Sequence, residues 1–241
     1  MIKTKTQLAI KNGRTVYTNN VFSTANYNTN LFKLSSNKKL GKFVSKGRHK
    51  NKYLYSLSLE ERKTCPKSCF HWKTCYGNNM PFAHRFRVSK NLLVKLHKEI
   101  KLLSIKHKEG ILIRLHIVGD FYSVAYVKFW KKMLSLYPNI SIFGYTARTP
   151  YSEIGKEIVK LRNKLWNRFS VRLSNNVTHK LTANSEDLLS EKLLLSNNVI
   201  GLKCQSSHYV ICPEQLNKVK NCASCGLCWN NNIDNIIFKT H

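Results

Sequence analysis

ILIRLHIVGD at residues 111–120, YSVAYVKFWKKMLSLYP at 122–138 and SIFGYTART at 141–149 follow one another with almost no connecting chain. The first is nearly continuous in apolar residues, as a strand buried on both faces requires. The second repeats its apolar side chains at helical spacing until Pro138 stops it, and the third is strand-like again. Strand, helix and strand at this spacing form a βαβ unit, whose right-handed crossover makes the two strands parallel neighbours.

The same alternation continues on both sides. Val88, Leu92, Leu96, Ile100 and Leu103 predict a helix over residues 85–108, closed by Gly110. SEIGKEIVKLRNKLW (152–166) opens on a Ser152 cap and carries Ile154, Ile158, Leu161 and Leu165, after which RFSVRLSNN (168–176) is strand-like. Upstream, KYLYSLSLEERKT (52–64) predicts one strand feeding a loop. Downstream, a helix is expected across SEDLLSEKLLLS (185–196), then strands at VIGLKCQ (199–205) and HYVIC (208–212).

Five or six such units fall short of the roughly 250 residues of a complete eightfold barrel, so the predicted fold is α/β: a partial, open parallel (β/α) barrel, or else an open α/β sheet. Its expected organisation is a basic N-terminal extension (1–50), the barrel core (51–211) and a C-terminal Cys-rich metal-binding segment (212–241). The extension is poor in periodic hydrophobics and predicts short strands or a partly ordered arm. In such sheets ligands sit at the carboxyl ends of the strands.

The chain has 241 residues, with 41 Lys and Arg against 12 Asp and Glu, for a net charge of +29. Its 42% hydrophobic content can bury a core, which excludes a disordered basic tail. The charge predicts a polyanionic partner, either nucleic acid (DNA or RNA) or a phosphate-rich substrate. No run approaches the roughly 18–20 apolar residues of a membrane span, and the basic N-terminus lacks the apolar stretch of a secretory signal. No membrane partner and a cytoplasmic, reducing location are therefore expected, where cysteines serve metals or redox chemistry rather than disulfides. A Gly-rich phosphate loop, a nucleophile elbow and an H-E-x-x-H helix are all missing, which argues against a P-loop NTPase, an α/β-hydrolase and a zincin.

Seven of the eight cysteines fall into two sets. Cys65, Cys69 and Cys75, in CPKSCFHWKTCYG, follow the first strand of the series. Three thiolates can hold three irons of a [4Fe-4S] cubane and leave the fourth iron to a small molecule. With His71 they would instead make a Cys3His Zn2+ site. Cys212, Cys222, Cys225 and Cys228 lie in CPEQLNKVKNCASCGLCW. Their C-x2-C-x2-C run favours a second [4Fe-4S] cluster over Zn2+, as a structural staple or an electron carrier. Cys204 is left over, as a substitute ligand or a separate thiol.

Further polar residues end the other strands. His116, Gly119 and Asp120 close the second strand of the series: the glycine would let a ligand approach, and the acid would bind an amine or a metal or else cap the next helix. Tyr145, Thr146 and Arg148 close the third, and Arg172, Ser174 and Asn175 the fourth, where they could bond a ribose or begin a turn. Asp120, His116 and Arg148 are the candidates for catalytic work. Phe70, Trp72, Tyr76, Phe121, Tyr122 and Trp229 are placed to stack on bases or to cover a cluster, whereas the helical spacing of Tyr126, Phe129 and Trp130 marks core.

Taken in order, CP with spaced cysteines ending in CYG, then HIVGDF with YSVAYVKFW, FGYTART, RLSNN, and ICP with CASCGLCW resemble the bacteriophage gene product 88 domain family. The likeness runs from about Cys65 to Trp229. It implies a fold and cluster layout similar to radical S-adenosylmethionine enzymes, and, for a phage protein, the host-cell cytoplasm. By that likeness Cys65, Cys69 and Cys75 would bind the [4Fe-4S] cluster that chelates S-adenosylmethionine. Gly119 and Asp120 would meet its methionyl amine, Ser174 and Asn175 its ribose, and the C-terminal cysteines an auxiliary cluster. The second cysteine interval is five residues where those enzymes have two, and the acid is Asp where they have Glu.

The expectation preferred from the sequence is an iron-sulfur enzyme of radical S-adenosylmethionine type acting on nucleic acid or a nucleotide. One alternative is a non-catalytic nucleic-acid-binding protein stapled by zinc or iron-sulfur clusters. The other is a metal-dependent nuclease using His116, Asp120 and His179, for which the few acids offer no obvious carboxylate pair.

Overall fold

A computed structural model describes residues 5–26, 30–34, 38–174, 179–190 and 209–239. Its helices are α1 (Lys5–Lys11), α2 (Glu61–Thr64), α3 (Leu92–Lys106), α4 (Val124–Leu136) and α5 (Glu153–Leu165), with a further helical turn at Cys222–Cys225. Its strands are β1 (Val21–Phe22), β2 (Lys33–Leu34), β3 (Tyr53–Leu57), β4 (Arg85–Phe86), β5 (Ile111–Leu115), β6 (Ile140–Thr146), β7 (Phe169–Leu173), β8 (Thr182–Ser185), β9 (Tyr209–Ile211) and β10 (Asn235–Phe238).

Eight strands form one mixed sheet in the order β2-β3-β5-β6-β7-β8-β10-β9, and β1 pairs with β4 separately. β3, β5, β6, β7 and β8 lie side by side in chain order and parallel. β10 slots in parallel between β8 and β9, and β2 runs antiparallel along β3. The α/β class and the mostly parallel sheet agree with the sequence expectation. Among the described strands the sheet does not close, and β2 and β9 are its edges.

Strands laid down in chain order, with each crossover of the same hand, put the connecting helices on one face. α3 packs on α4 and α4 on α5. Leu96, Ile100, Tyr126, Trp130, Ile158 and Leu161 from these helices bury against Leu57, Ile113, Leu115, Ile142 and Val171 of the sheet. The caps are as expected for serine: Ser123 Oγ accepts from Tyr126 N at 3.1 Å and Ser152 Oγ from Gly155 N at 3.1 Å. The opposite face carries Leu54, Leu112 and Phe143, and the chain itself covers it with Leu40, Val44, Cys212, Cys228 and Trp229.

Several boundaries differ from the sequence expectation. The helix expected over 85–108 spans Leu92–Lys106, because Arg85 and Phe86 form a strand on β1 and Val88 is exposed. Apolar spacing alone ran that helix back through a buried two-residue strand. β8 and β10 were not anticipated: TANS is too polar, and NIIF is a four-residue run behind the Asn-rich turn at 230–232 that follows the last cysteine motif. The helix expected over 185–196 is seen over 186–190, after Ser185 ends β8. The strand expected at 199–205 lies outside the described residues.

The first fifty residues contribute to both cores. Leu31 and Phe32 join the helix-side core, and their backbone N–H groups donate to the Glu99 carboxylate at 2.8 and 3.0 Å. Among the described residues no helix is long and apolar enough to cross a membrane.

Candidate metal centres

The short helix α2 begins at Glu61 and ends where Cys65 N donates to Glu61 O at 2.9 Å. The chain then loops through Cys69, His71, Trp72 and Cys75. Cys65, Cys69 and Cys75 line one small pocket together with Glu61, Arg62, His71 and Trp72, so the loop brings the three predicted ligands together. Burial first, and then the neighbouring Asp120, Cys75, Cys69 and Glu61, push the Cys65 thiol up. Burial also raises Cys75, against the backbone N–H of Gly77, which donates to its sulfur.

Two buried arginines hold this loop. Arg85, fully buried, pairs through Nε with Glu61 Oε2 at 2.9 Å and donates to the carbonyls of Gly77 (2.8 Å), Ala83 (2.7 Å) and Met80 (3.2 Å). Arg62 donates to the Trp72 carbonyl and to Asn78 Oδ1 (3.0 Å), and its guanidinium lies 4.7 Å from the Trp72 ring centre. A loop of this length has many backbone carbonyls to satisfy, and a five-donor fork is an efficient way of doing so. His71 Nε2 meets Ser185 Oγ at 2.9 Å and Nδ1 meets Thr74 Oγ1 at 3.2 Å, tying the loop to the end of β8.

The GDF segment after β5 packs directly on that loop. Gly119 has φ +91°, and a Cβ there would fall 2.8 Å from Leu59 Cβ and 2.9 Å from Thr64 Oγ1. The close approach the sequence suggested for a ligand is made by the protein's own segment leading to Cys65. Asp120 N donates to Thr64 Oγ1 at 3.1 Å. Its carboxylate accepts from Phe121 N (2.7 Å), Thr146 Oγ1 (2.7 Å) and Ala147 N (2.8 Å). Burial holds this acid up at about 6, against the lowering effect of those bonds and of Arg148. Asp120 is not the helix cap; Ser123 takes that place. Arg148 donates from Nε to Phe121 O at 2.8 Å and also to Thr64 O, so it bridges the two segments.

The second cysteine set lies on the sheet face away from the helices. Cys212 and Cys228 are buried, and Cys222 and Cys225 partly so. Asn221 and Ser224 form a reciprocal capping box around the Cys222–Cys225 turn, and Gly226 closes it in the left-handed region. Arg172, fully buried on β7, donates to the carbonyls of Cys228 (2.9 Å), Ile233 (2.9 Å), Leu227 (3.4 Å) and Asn230. Tyr145 donates its hydroxyl to Cys228 Sγ at 2.7 Å, and Arg114 lies 4.1 Å from the Tyr145 ring centre. Neither Arg114 nor Arg172 pairs with a carboxylate among the described residues. Burial raises Cys228, while the Tyr145 bond, Arg172 and Arg114 draw it down.

The remaining predicted residues are more scattered. His116 is a core residue on the helix side, its Nε2 3.0 Å from Tyr126 Oη, and burial and Arg114 hold it down at about 3. Ser174 follows β7 and donates its N–H to Thr146 O at 2.7 Å. Asn175 and Cys204 lie outside the described residues. His179 meets Tyr151 edge-on, with ring centroids 5.8 Å apart. Phe121 and Trp229 are core, Trp229 against Phe143 and His49.

Sequence reasoning missed Glu61, Arg62, Arg85 and Arg114. A signal existed for the first two, since the acid-acid-base run at 60–62 immediately precedes the cysteines in a chain with only twelve acids. The seven described cysteines form no disulfide, and among the described residues no group of three or more His, Cys, Asp or Glu side chains is arranged to hold a single metal ion.

A family model described as gene product 88 matches residues 29–231. The match starts well before Cys65, where the likeness in sequence motifs began. No curated protein and no solved structure matches the chain.

Proposed function

The chain belongs to the gene product 88 family, and from that premise we propose that it is an iron-sulfur enzyme of radical S-adenosylmethionine type acting on nucleic acid or a nucleotide. The observation that carries this reading is the common pocket of Cys65, Cys69 and Cys75 at the carboxyl end of β3, the first of five parallel strands in chain order. Donor chemistry is compatible with an iron-sulfur cluster: three thiols line one pocket and a backbone N–H is placed on one sulfur. A cubane spreads its cysteines over separate irons, so they need not converge on one point.

The C-terminal set fits a second, closed centre. Burying two arginines with no carboxylate in ion-pair contact among the described residues is costly. Four thiolates on a [4Fe-4S]2+ cluster or on Zn2+ carry a net charge of about −2, which matches Arg114 and Arg172. Cys212, Cys222, Cys225 and Cys228 would hold that centre as an auxiliary staple.

With an open iron, such a cluster supplies one-electron reduction of a bound sulfonium. The chain's own contribution is positional. Arg62 and Arg85 fix the loop from below, and Gly119, Asp120 and Arg148 lock its first turn to the ends of β5 and β6. The positive charge of the chain delivers a polyanionic substrate to this rim.

The test is anaerobic. Protein reconstituted with iron and sulfide, then reduced in the presence of S-adenosylmethionine, is expected to release 5′-deoxyadenosine, and Cys75→Ala to release none. A fully loaded protein that releases none overturns the reading. One observation favours a second reading, a nucleic-acid binder stapled by its metal centres: Gly119, Asp120 and Arg148 are all engaged in scaffolding. That protein would bind DNA or RNA with an affinity falling steeply with salt and perform no chemistry.

A further inference from the structure

Segment 30–34 runs beside the carboxyl end of β3, where Lys33 pairs with Ser56. Glu99 clamps it from below by accepting from Leu31 N and Phe32 N. Facing it, the loop 80–84 is held by Arg85, which donates to the carbonyls of Met80 (3.2 Å) and Ala83 (2.7 Å). Between the two lies a cavity of about 150 Å³, lined by Lys33, Ser58, Phe82, His84 and Phe86 among others. Ser58 and Ile117 in its wall place it just past the ends of β3 and β5.

Two features of this cavity call for a ligand. Lys33 Nζ lies 2.8 Å from His84 Nδ1. Burial and then Lys33 hold that ring below its ordinary value, so the ammonium donates to a neutral imidazole. Fixing a lysine costs side-chain entropy, and among the described residues no carboxylate pairs with this one. Apart from Glu60 and Glu61, which meet Arg87 and Arg85, residues 1–98 contain no acid. The charge at this mouth is left for an anion from outside the chain. The second feature is Phe82, which is 90% exposed. Pockets that enclose a drug-sized molecule run to roughly 300–1,000 Å³, so this smaller one takes a single ring system rather than a whole cofactor.

We propose that this cavity binds one nucleoside 5′-phosphate unit, with its base stacked on Phe82, its phosphate on the Lys33 ammonium and Ser58 adding a hydroxyl. An aromatic face beside a cation suits such a unit, because the base stacks and the phosphate takes charge-assisted bonds. The unit is either a free nucleotide or one residue of a single strand. This rests on the substrate class of the reading above and adds where that substrate is held. Glu99 and Arg85 act as positioning residues, one for the segment that carries Lys33 and the other for the loop that carries Phe82.

The experiment measures binding, not turnover. Metal-loaded protein is titrated calorimetrically with thymidine 5′-monophosphate and with thymidine, which lacks only the phosphate. Wild type is expected to prefer the nucleotide by roughly tenfold or more. Lys33→Ala should lose that preference and bind thymidine as wild type does, whereas Phe82→Ala should weaken both ligands, by roughly tenfold. Both side chains are exposed, so neither change threatens the fold. Lys131→Ala, an exposed lysine on α4, controls for the overall charge and should change nothing. A thymidylate pentamer that binds more tightly than the monomer assigns the site to a strand, and one that binds no more tightly assigns it to a free nucleotide. Equal affinities of wild type for thymidine and its phosphate overturn the inference. So does a Lys33→Ala protein that keeps the preference, a Phe82→Ala protein that binds as wild type does, or a Lys131→Ala protein that loses as much as Lys33→Ala. A loaded protein that binds thymidylate as expected and releases no 5′-deoxyadenosine overturns the proposed reaction and leaves this site standing.

Discussion

Tyr145 at the end of β6 donates its hydroxyl to the sulfur of Cys228 at 2.7 Å, joining the middle of the parallel sheet to the C-terminal cysteine segment. Arg114 on the neighbouring strand lies 4.1 Å from the same ring. Removing the hydroxyl in Tyr145→Phe keeps the packing and deletes one buried bond. The expected loss is about 1 kcal/mol of unfolding free energy, read from urea denaturation. In metal-loaded protein the same change should lower the reduction potential of the C-terminal centre, because a donor to a ligand sulfur stabilises the reduced state. An unchanged potential would show that this bond does not act on a redox centre.

Arg172 gathers carbonyls of residues 227–233 from a fully buried position. Arg172→Lys supplies three donors in place of a planar fork and leaves several of those carbonyls unsatisfied. A destabilisation of roughly 3–5 kcal/mol is expected, with selective loss of metal from the C-terminal cysteines. Metal analysis of Arg172→Lys, beside a variant in which Cys65, Cys69 and Cys75 are alanine, checks that selectivity.

Gly119→Ala puts a methyl group 2.8 Å from Leu59 Cβ at a backbone φ of +91°. Both strain and overlap oppose it, for an expected cost of about 2–4 kcal/mol. Because Gly119 packs against Thr64, the damage should reach the cysteine loop, and Cys65 should become more reactive toward a thiol reagent. Chemical denaturation and alkylation rates measure the two effects.

Stability should fall on acidification. His116 is held down at about 3 by burial and Arg114, and His49 at about 3 by burial, Lys52 and Arg48. Both lie below their ordinary value of 6.5, so the unfolded chain takes up protons that the folded chain refuses. Their contribution is complete above the ordinary value and is lost as pH falls from there toward 3. Asp120, raised from 3.8 to about 6, has the opposite sign, contributing below 3.8 and losing that contribution as pH rises through 6. Two histidines outweigh one acid, so the urea midpoint should drop between about pH 6.5 and 5, and the His116 ring resonance should not titrate in that window. A midpoint that rises on acidification would contradict this assignment.

The fold class was legible because β5, α4 and β6 each carry a pure periodicity: ILIRL is buried throughout and YSVAYVKFW has one apolar face. β8 was not, since Thr182, Ala183 and Asn184 are buried by their neighbours rather than by their own hydrophobicity. Cysteine spacing separated a set of three from a set of four. What surrounds each set depends on distant parts of the chain: Arg85 reaches back to Glu61, and Arg172 reaches forward to Asn230. Asp120 has the right position for a ligand-binding acid and is consumed by local donors, a competition that spacing does not reveal.

The most direct test of the account is the metal content of anaerobically purified protein, taken together with its electron paramagnetic resonance after reduction. The account predicts iron and acid-labile sulfide near eight of each per chain when both centres are filled, at about four irons per cubane. It also predicts that replacing Cys65, Cys69 and Cys75 by alanine removes about half of each and abolishes the signal of the centre that responds to S-adenosylmethionine. Zinc at both cysteine sets, with no labile sulfide after reconstitution, would contradict it.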